Sequence, residues 1–172
     1  MPPTTSLGIR YPVLSDTANV PRDIGYTTSD IDALLVAERA AWTAYTPTLT
    51  AATTNPTMGA TTVTGAWRQR GKTIQGRVKV SLGAGFVAGN GTYYISLPIA
   101  PHAGYLSLSA IGTATAGEAT GSVRPYLAMF HSGSGKIILQ NTSAYSLLDH
   151  TGPTAAWTTT GYITVTFTYE SA

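Results

Sequence analysis

Between Thr61 and Leu82 apolar and polar side chains alternate on both sides of a glycine, and this stretch predicts a β-hairpin. On the first limb Val63, Gly65 and Trp67 fall on one face. Thr64, Ala66, Arg68 and Arg70 fall on the other, because successive strand side chains point to opposite sides. Gly71 supplies the turn. On the return limb Ile74, Gly76, Val78, Val80 and Leu82 form an apolar row, and Thr73, Gln75, Arg77 and Lys79 a polar one. One face is therefore core, with Trp67 buried in it. The other is wet and gathers Arg68, Arg70, Arg77 and Lys79, with Lys72 at the tip. Such a row serves either to keep strand edges from pairing with another chain or to meet an anionic ligand.

The same period-two pattern, punctuated by Gly, Asn and Pro, continues through residues 45–172 and predicts a mainly β domain, a sandwich or barrel. Strands are expected near 45–51, 60–70, 73–82, 91–97, 105–116, 122–131, 136–141 and 161–170. In the last, Ile163, Val165, Phe167 and Tyr169 alternate with Thr164, Thr166 and Thr168, which predicts one buried and one hydroxylated face. Turns are expected at Asn55-Pro56, Gly89-Asn90-Gly91, Gly133-Ser134-Gly135 and Gly152-Pro153.

Ahead of this domain the period becomes helical over residues 29–44, where Ile31, Leu34, Leu35, Ala41 and Trp42 share a stripe. Ser29 is the expected N-cap, with Asp32 in the capping-box position. About four turns are marginal alone. The stripe must be covered by the β-domain or by copies of itself, although Glu38 interrupts a clean heptad. Residues 1–28 contain Pro2, Pro3, Pro12 and Pro21 and are expected as an extended arm. Leu7, Ile9, Tyr11, Val13, Leu14, Val20 and Ile24 give that arm apolar surface to lay on its own domain or on another protein.

Composition sharpens this picture. Threonine, which favours strands, occurs 29 times, and only 10% of residues are charged. Net charge is +2, but residues 1–44 hold three basic and five acidic groups while residues 45–172 hold seven and three. A surplus of four over the longer part is too small for a nucleic-acid binder. There is no cysteine, so disulfides and thiolate chemistry are excluded. Neither a signal peptide nor an apolar run long enough for membrane insertion is visible, so neither secretion nor insertion is expected.

Catalytic chemistry finds little support. His102, His131 and His150 lack ligand spacing, so no metal is expected, and Asp149-His150 points its two side chains apart. No Gly-x-Ser-x-Gly elbow occurs, the Gly-rich turns lack the Lys-Ser of a phosphate cradle, and Glu118, Asp149 and Glu170 are a thin supply for glycan hydrolysis. No catalytic residue and no cofactor is assigned. Aromatic side chains remain. Tyr94, one of two adjacent strand tyrosines, and Trp157 are candidate ligand contacts beside Arg68, Arg70, Arg77 and Lys79, with core packing as the alternative for each ring.

At the N-terminus LGIRYPVLSDTANVPRDI resembles the opening of small minor tail and fibre proteins encoded by bacteriophages of actinobacteria, through Leu7, Gly8, Ile9, Arg10, Tyr11, Pro12, Ser15, Asp16, Val20, Pro21, Arg22 and Asp23. YTPTLTAATTNPTMG, GAWRQRGKTIQGRVKV and GTYYISLPIAP follow an order similar to that of β-domains in phage tail-fibre and head-fibre proteins. The likeness covers the arm and residues 45–101. Arg70 stands where such sequences often carry an apolar residue, and Gly76 interrupts a strand usually filled by β-branched ones.

The resemblance implies a jelly-roll-like antiparallel β-sandwich in a homotrimer, preceded by an extended arm and one short helix. It implies a non-enzymatic virion protein, made in the host cytoplasm and carried on the particle surface. The arm would dock on a capsid or tail protein through Leu7, Ile9, Arg10, Tyr11, Pro12, Pro21, Arg22 and Ile24. The β-domain would then face a host-surface glycan. The rival class is a free carbohydrate-binding β-sandwich module, and a weaker third is a glycan-cleaving enzyme.

Overall fold

The computed structural model describes residues 8–11, 19–39, 41–118, 121, 123–152 and 157–172. The chain divides into two compact units, Met1–Ala41 and Trp42–Ala172.

In the first unit helix α1 spans Val20–Glu38, so it begins nine residues before the expected start and ends before Trp42. Asn19, not Ser29, is the cap: its Oδ1 accepts the Arg22 N–H at 3.1 Å and its carbonyl the Asp23 N–H at 3.0 Å. Pro21 does not break the helix because it sits in the first turn, where no intrahelical N–H is needed. Thr27, Thr28 and Ser29 turn their hydroxyls back onto the carbonyls of Asp23, Ile24 and Gly25 at 3.1, 2.9 and 2.9 Å. Residues that favour caps are thereby accommodated inside the helix. Pro21, Arg22 and Ile24, expected in an extended arm, are thus helical. Leu7 and Pro12, like Pro153 of the expected Gly152-Pro153 turn, lie outside the described residues.

Among its described residues the second unit holds nine strands: β1 Thr43–Tyr45, β2 Leu49–Ala51, β3 Thr62–Arg70, β4 Thr73–Ser81, β5 Tyr93–Ser96, β6 Ser109–Glu118, β7 Val123–His131, β8 Lys136–Asn141 and β9 Gly161–Glu170. They form one antiparallel sheet in the order β1-β3-β4-β9-β6-β7-β8-β5-β2. Laid flat, its outermost strands would lie about 38 Å apart, eight spacings of about 4.8 Å. Yet β1 and β2 are joined only by Thr46, Pro47 and Thr48, which reach about 14 Å at most. The sheet must therefore curl until its edges approach, enclosing a core. This is the expected mainly β, sandwich-type fold. The single strand expected at 45–51 is two edge strands, divided at the buried Pro47 where the chain crosses from one edge to the other.

The organising hairpin forms as β3 and β4, with Val63 opposite Val80, Gly65 opposite Val78 and Trp67 opposite Gly76. Its two-residue turn has positive φ at Gly71, the first central position, as a type II′ turn requires. Ile74, Val78, Val80 and Leu82 are buried with Ile163, Val165, Phe167 and Tyr169 of β9. Trp67 points inward but is only half-buried, because β3 lies one strand from the sheet edge. Gly76 fits its strand for a packing reason: the Phe167 ring lies against it, and an added Cβ would overlap that ring. Gly65 accommodates the Tyr45 ring in the same way.

Candidate ligand-binding face

The outward side of β3, β4, β9 and β6 brings four of the six predicted ligand residues together. Arg68 and Arg70 project from β3, and Arg77 and Lys79 from β4. Arg68 Nε donates to Gln75 Oε1 across the hairpin at 2.9 Å. Among the described residues none of the four cations is in a salt bridge.

Trp42 completes this face. Thr43 pairs with Trp67 on the inward side, so the preceding residue lies outward beside Arg68. The Arg77 and Arg68 guanidinium carbons stand 4.8 and 5.0 Å from the indole centroid, within cation–π range. The indole remains 40% exposed. Trp42 escaped prediction because Ala41-Trp42 extended the helical stripe. The parity of Trp42, Ala44 and Thr46 against Thr43 and Tyr45 was the signal that could have placed it.

Farther across, the floor is hydroxylated. Thr113 and Thr166 hydroxyls lie 3.2 Å apart and those of Thr115 and Thr164 2.6 Å apart, bridging β6 and β9. Two open hollows of about 430 and 450 Å³ indent the surface. Trp42, Gln75 and Thr168 line the first, Ala66, Lys79 and Thr164 the second, and Arg77 and Thr166 belong to both.

The two predicted aromatic contacts lie elsewhere. Tyr94 is outward on β5, with its ring 5.4 Å from that of His131. Trp157 is a structural clamp instead of a ligand platform: its Nε1–H donates to the Asp149 carbonyl at 2.9 Å and its ring packs 6.0 Å from Tyr93 against the core. The histidines lock turns. His102 and His150 accept the Gly104 and Gly91 N–H groups through Nδ1, each at 3.1 Å, and His131 Nδ1 meets Ser134 Oγ at 3.0 Å. Among the described residues no cluster of three His, Asp or Glu could hold a metal ion.

The perturbed tyrosines belong to the core. Burial pushes the Tyr169 phenol up to about 12 although its hydroxyl donates to the Ile99 carbonyl at 2.6 Å. Burial, then the nearby Tyr169, raises Tyr45, whose hydroxyl finds no partner among the described residues.

In the N-terminal unit Arg10 is already engaged. Its Nε and Nη2 donate to the two Asp30 carboxylate oxygens at 2.9 and 2.8 Å, and its backbone N–H to Oδ2 at 2.9 Å. The guanidinium also lies 4.3 Å from the Tyr26 ring centroid. These hydrogen bonds, side chain first, hold the Asp30 carboxyl below its ordinary range. Arg10 therefore ties residues 8–11 to α1 and is not a free polar anchor, and Arg22 bonds Asp23 at 3.0 Å. Tyr11 and Ile24 remain 45% and 61% exposed, and Ile9 is half-buried.

No protein-family model matches the chain, and neither do the curated protein sequences or the solved structures compared with it.

Proposed function

We propose that the chain is a non-enzymatic structural protein of a bacteriophage particle. It is a trimeric fibre or spike component whose N-terminal unit attaches to the particle and whose β-domain is presented toward the host surface. The observation that carries this reading is the apolar surface of α1. Ile24 is 61% exposed and Val36 71%, and Ile31, Leu34 and Leu35 are also exposed, so the helix has apolar surface for a partner to cover. Ile24, Ile31 and Leu34 stand at the seam spacing of a heptad, a short seam that Glu38 ends. The seam suits copies of the chain, and the apolar residues outside it suit a docking partner. The resemblance read from the N-terminal wording to phage fibre proteins points the same way.

Light scattering on the full chain should give about 54 kDa, three times 17.9 kDa. Immunogold labelling of particles from the phage that encodes the chain should mark their surface. A monomer at micromolar concentration overturns the trimer, and unlabelled particles overturn the virion role.

A further inference from the structure

We propose that the outer face centred on Trp42 binds an anionic polysaccharide, one that carries a carboxylate or phosphodiester along its chain. This deepens the proposed presentation of the β-domain and rests on it.

Three features of one surface converge. First, Arg68 and Arg77 are held over the Trp42 indole, so their charges are positioned before a ligand arrives, and less side-chain freedom is lost on binding. The exposed part of the indole offers an apolar platform for the C–H face of a sugar ring. Second, the hollows adjoin at Arg77 and Thr166 and are taken together as one trough. Lys79 continues the positive row two residues along β4, about 7 Å from Arg77. Third, Thr113, Thr164 and Thr166 line the trough, and their hydroxyls, the first and last paired with each other and Thr164 with Thr115, can donate to or accept from sugar hydroxyls. No carboxylate is paired to these cations among the described residues, and against Glu170 at the end of β9 the four cations of this face keep its field positive.

The same features disfavour a nucleic acid. Single-strand binders offer successive aromatic rings to successive bases, whereas this trough has one indole and a threonine floor.

The test is calorimetric titration of the full chain with polygalacturonate oligomers, poly(glycerol phosphate), neutral dextran and a short oligothymidylate. Binding of either of the first two, weakened by added salt, is expected, and whichever binds more tightly identifies the charge as carboxylate or phosphate. Trp42→Ala and Arg77→Ala should each weaken it about tenfold or more. Arg124→Ala, at an exposed cation of β7 outside the trough, should leave it unchanged. Thermal melts establish that the variants fold, and the exposed Lys79→Glu provides a second charge test. Four results overturn the proposal: no binding of either anionic polymer, equal binding of dextran, tighter binding of oligothymidylate, or binding indifferent to all three trough substitutions. Particle labelling reads independently. A chain that labels particles but binds no polymer loses only this inference, and one that binds but is missing from particles loses only the virion role.

Discussion

Two parts of the sheet's outer side obey the same alternation and reach opposite ends. Across β3, β4, β9 and β6 the outward residues are mostly cations and threonines, joined by Gln75, Ser81 and the carboxylate Glu170, and Arg77, Lys79 and Thr166 are exposed. Across β7 and β8 the outward pair Met129 and Ile138 is 6% and 1% exposed, as dry as the core, yet both lie outside the main core cluster. Tyr94 on adjoining β5 and Leu147, bridged to Gln140, share that side. Facing outward on a strand therefore does not decide hydration. The neighbours do: short hydroxylated side chains leave one wall wet, while long apolar ones close over the other.

A charge placed at the dry outward position has the largest expected effect. Ile138→Asp should cost about 4 kcal/mol or more, because the carboxylate would be buried without a partner. Denaturant melts that show a loss below about 1 kcal/mol would make the two walls equivalent. A smaller effect comes from beneath the wet wall, where Gly76→Val drives a side chain into the Phe167 ring. It should destabilise by about 1–3 kcal/mol through overpacking. On the wet surface itself Lys79→Ala should change stability by no more than about 0.5 kcal/mol. A larger loss there would give this cation a structural task and weaken its reading as ligand surface.

Acid should leave both walls in place and act on the N-terminal unit. The folded Asp30 pKa lies below its ordinary value of 3.8, so its contribution is complete above that value and is lost as pH falls below it. Amide exchange in residues 8–11 should therefore quicken on acidification, and Asp30→Asn should remove the pH dependence. Persistence of that dependence in the variant would assign it to another group.

How much of this was legible depends on how local each cause is. The hairpin register and β9 could be read because alternation, a glycine turn and charge placement agree within a few residues of one another. The helix start could not, because Pro21 signals a break everywhere except in a first turn, and the Asn19 cap carries no apolar mark. The Arg10–Asp30 clamp joins residues twenty apart, and the partner of Trp157 is a backbone carbonyl that its side-chain chemistry does not name. The dry wall did leave a trace. Ala128-Met129-Phe130 and Ile137-Ile138-Leu139 are unbroken apolar runs, the pattern of strands covered on both faces. Within the candidate site the cation row was visible, whereas Trp42 was hidden by a helical period that stops short of it.

The shortness of β1 has a mechanical consequence. Any tension applied through the N-terminal unit enters the β-domain at this strand, which is held to β3 by three residue pairs, against nine between β3 and β4. A seam of only three pairs is thus the first to bear load. Trp42 immediately precedes it, so peeling β1 away would carry the indole off Arg68 and Arg77 and dissolve the trough before the core strands part. The proposed ligand surface and resistance to pulling would then fail together, at β1.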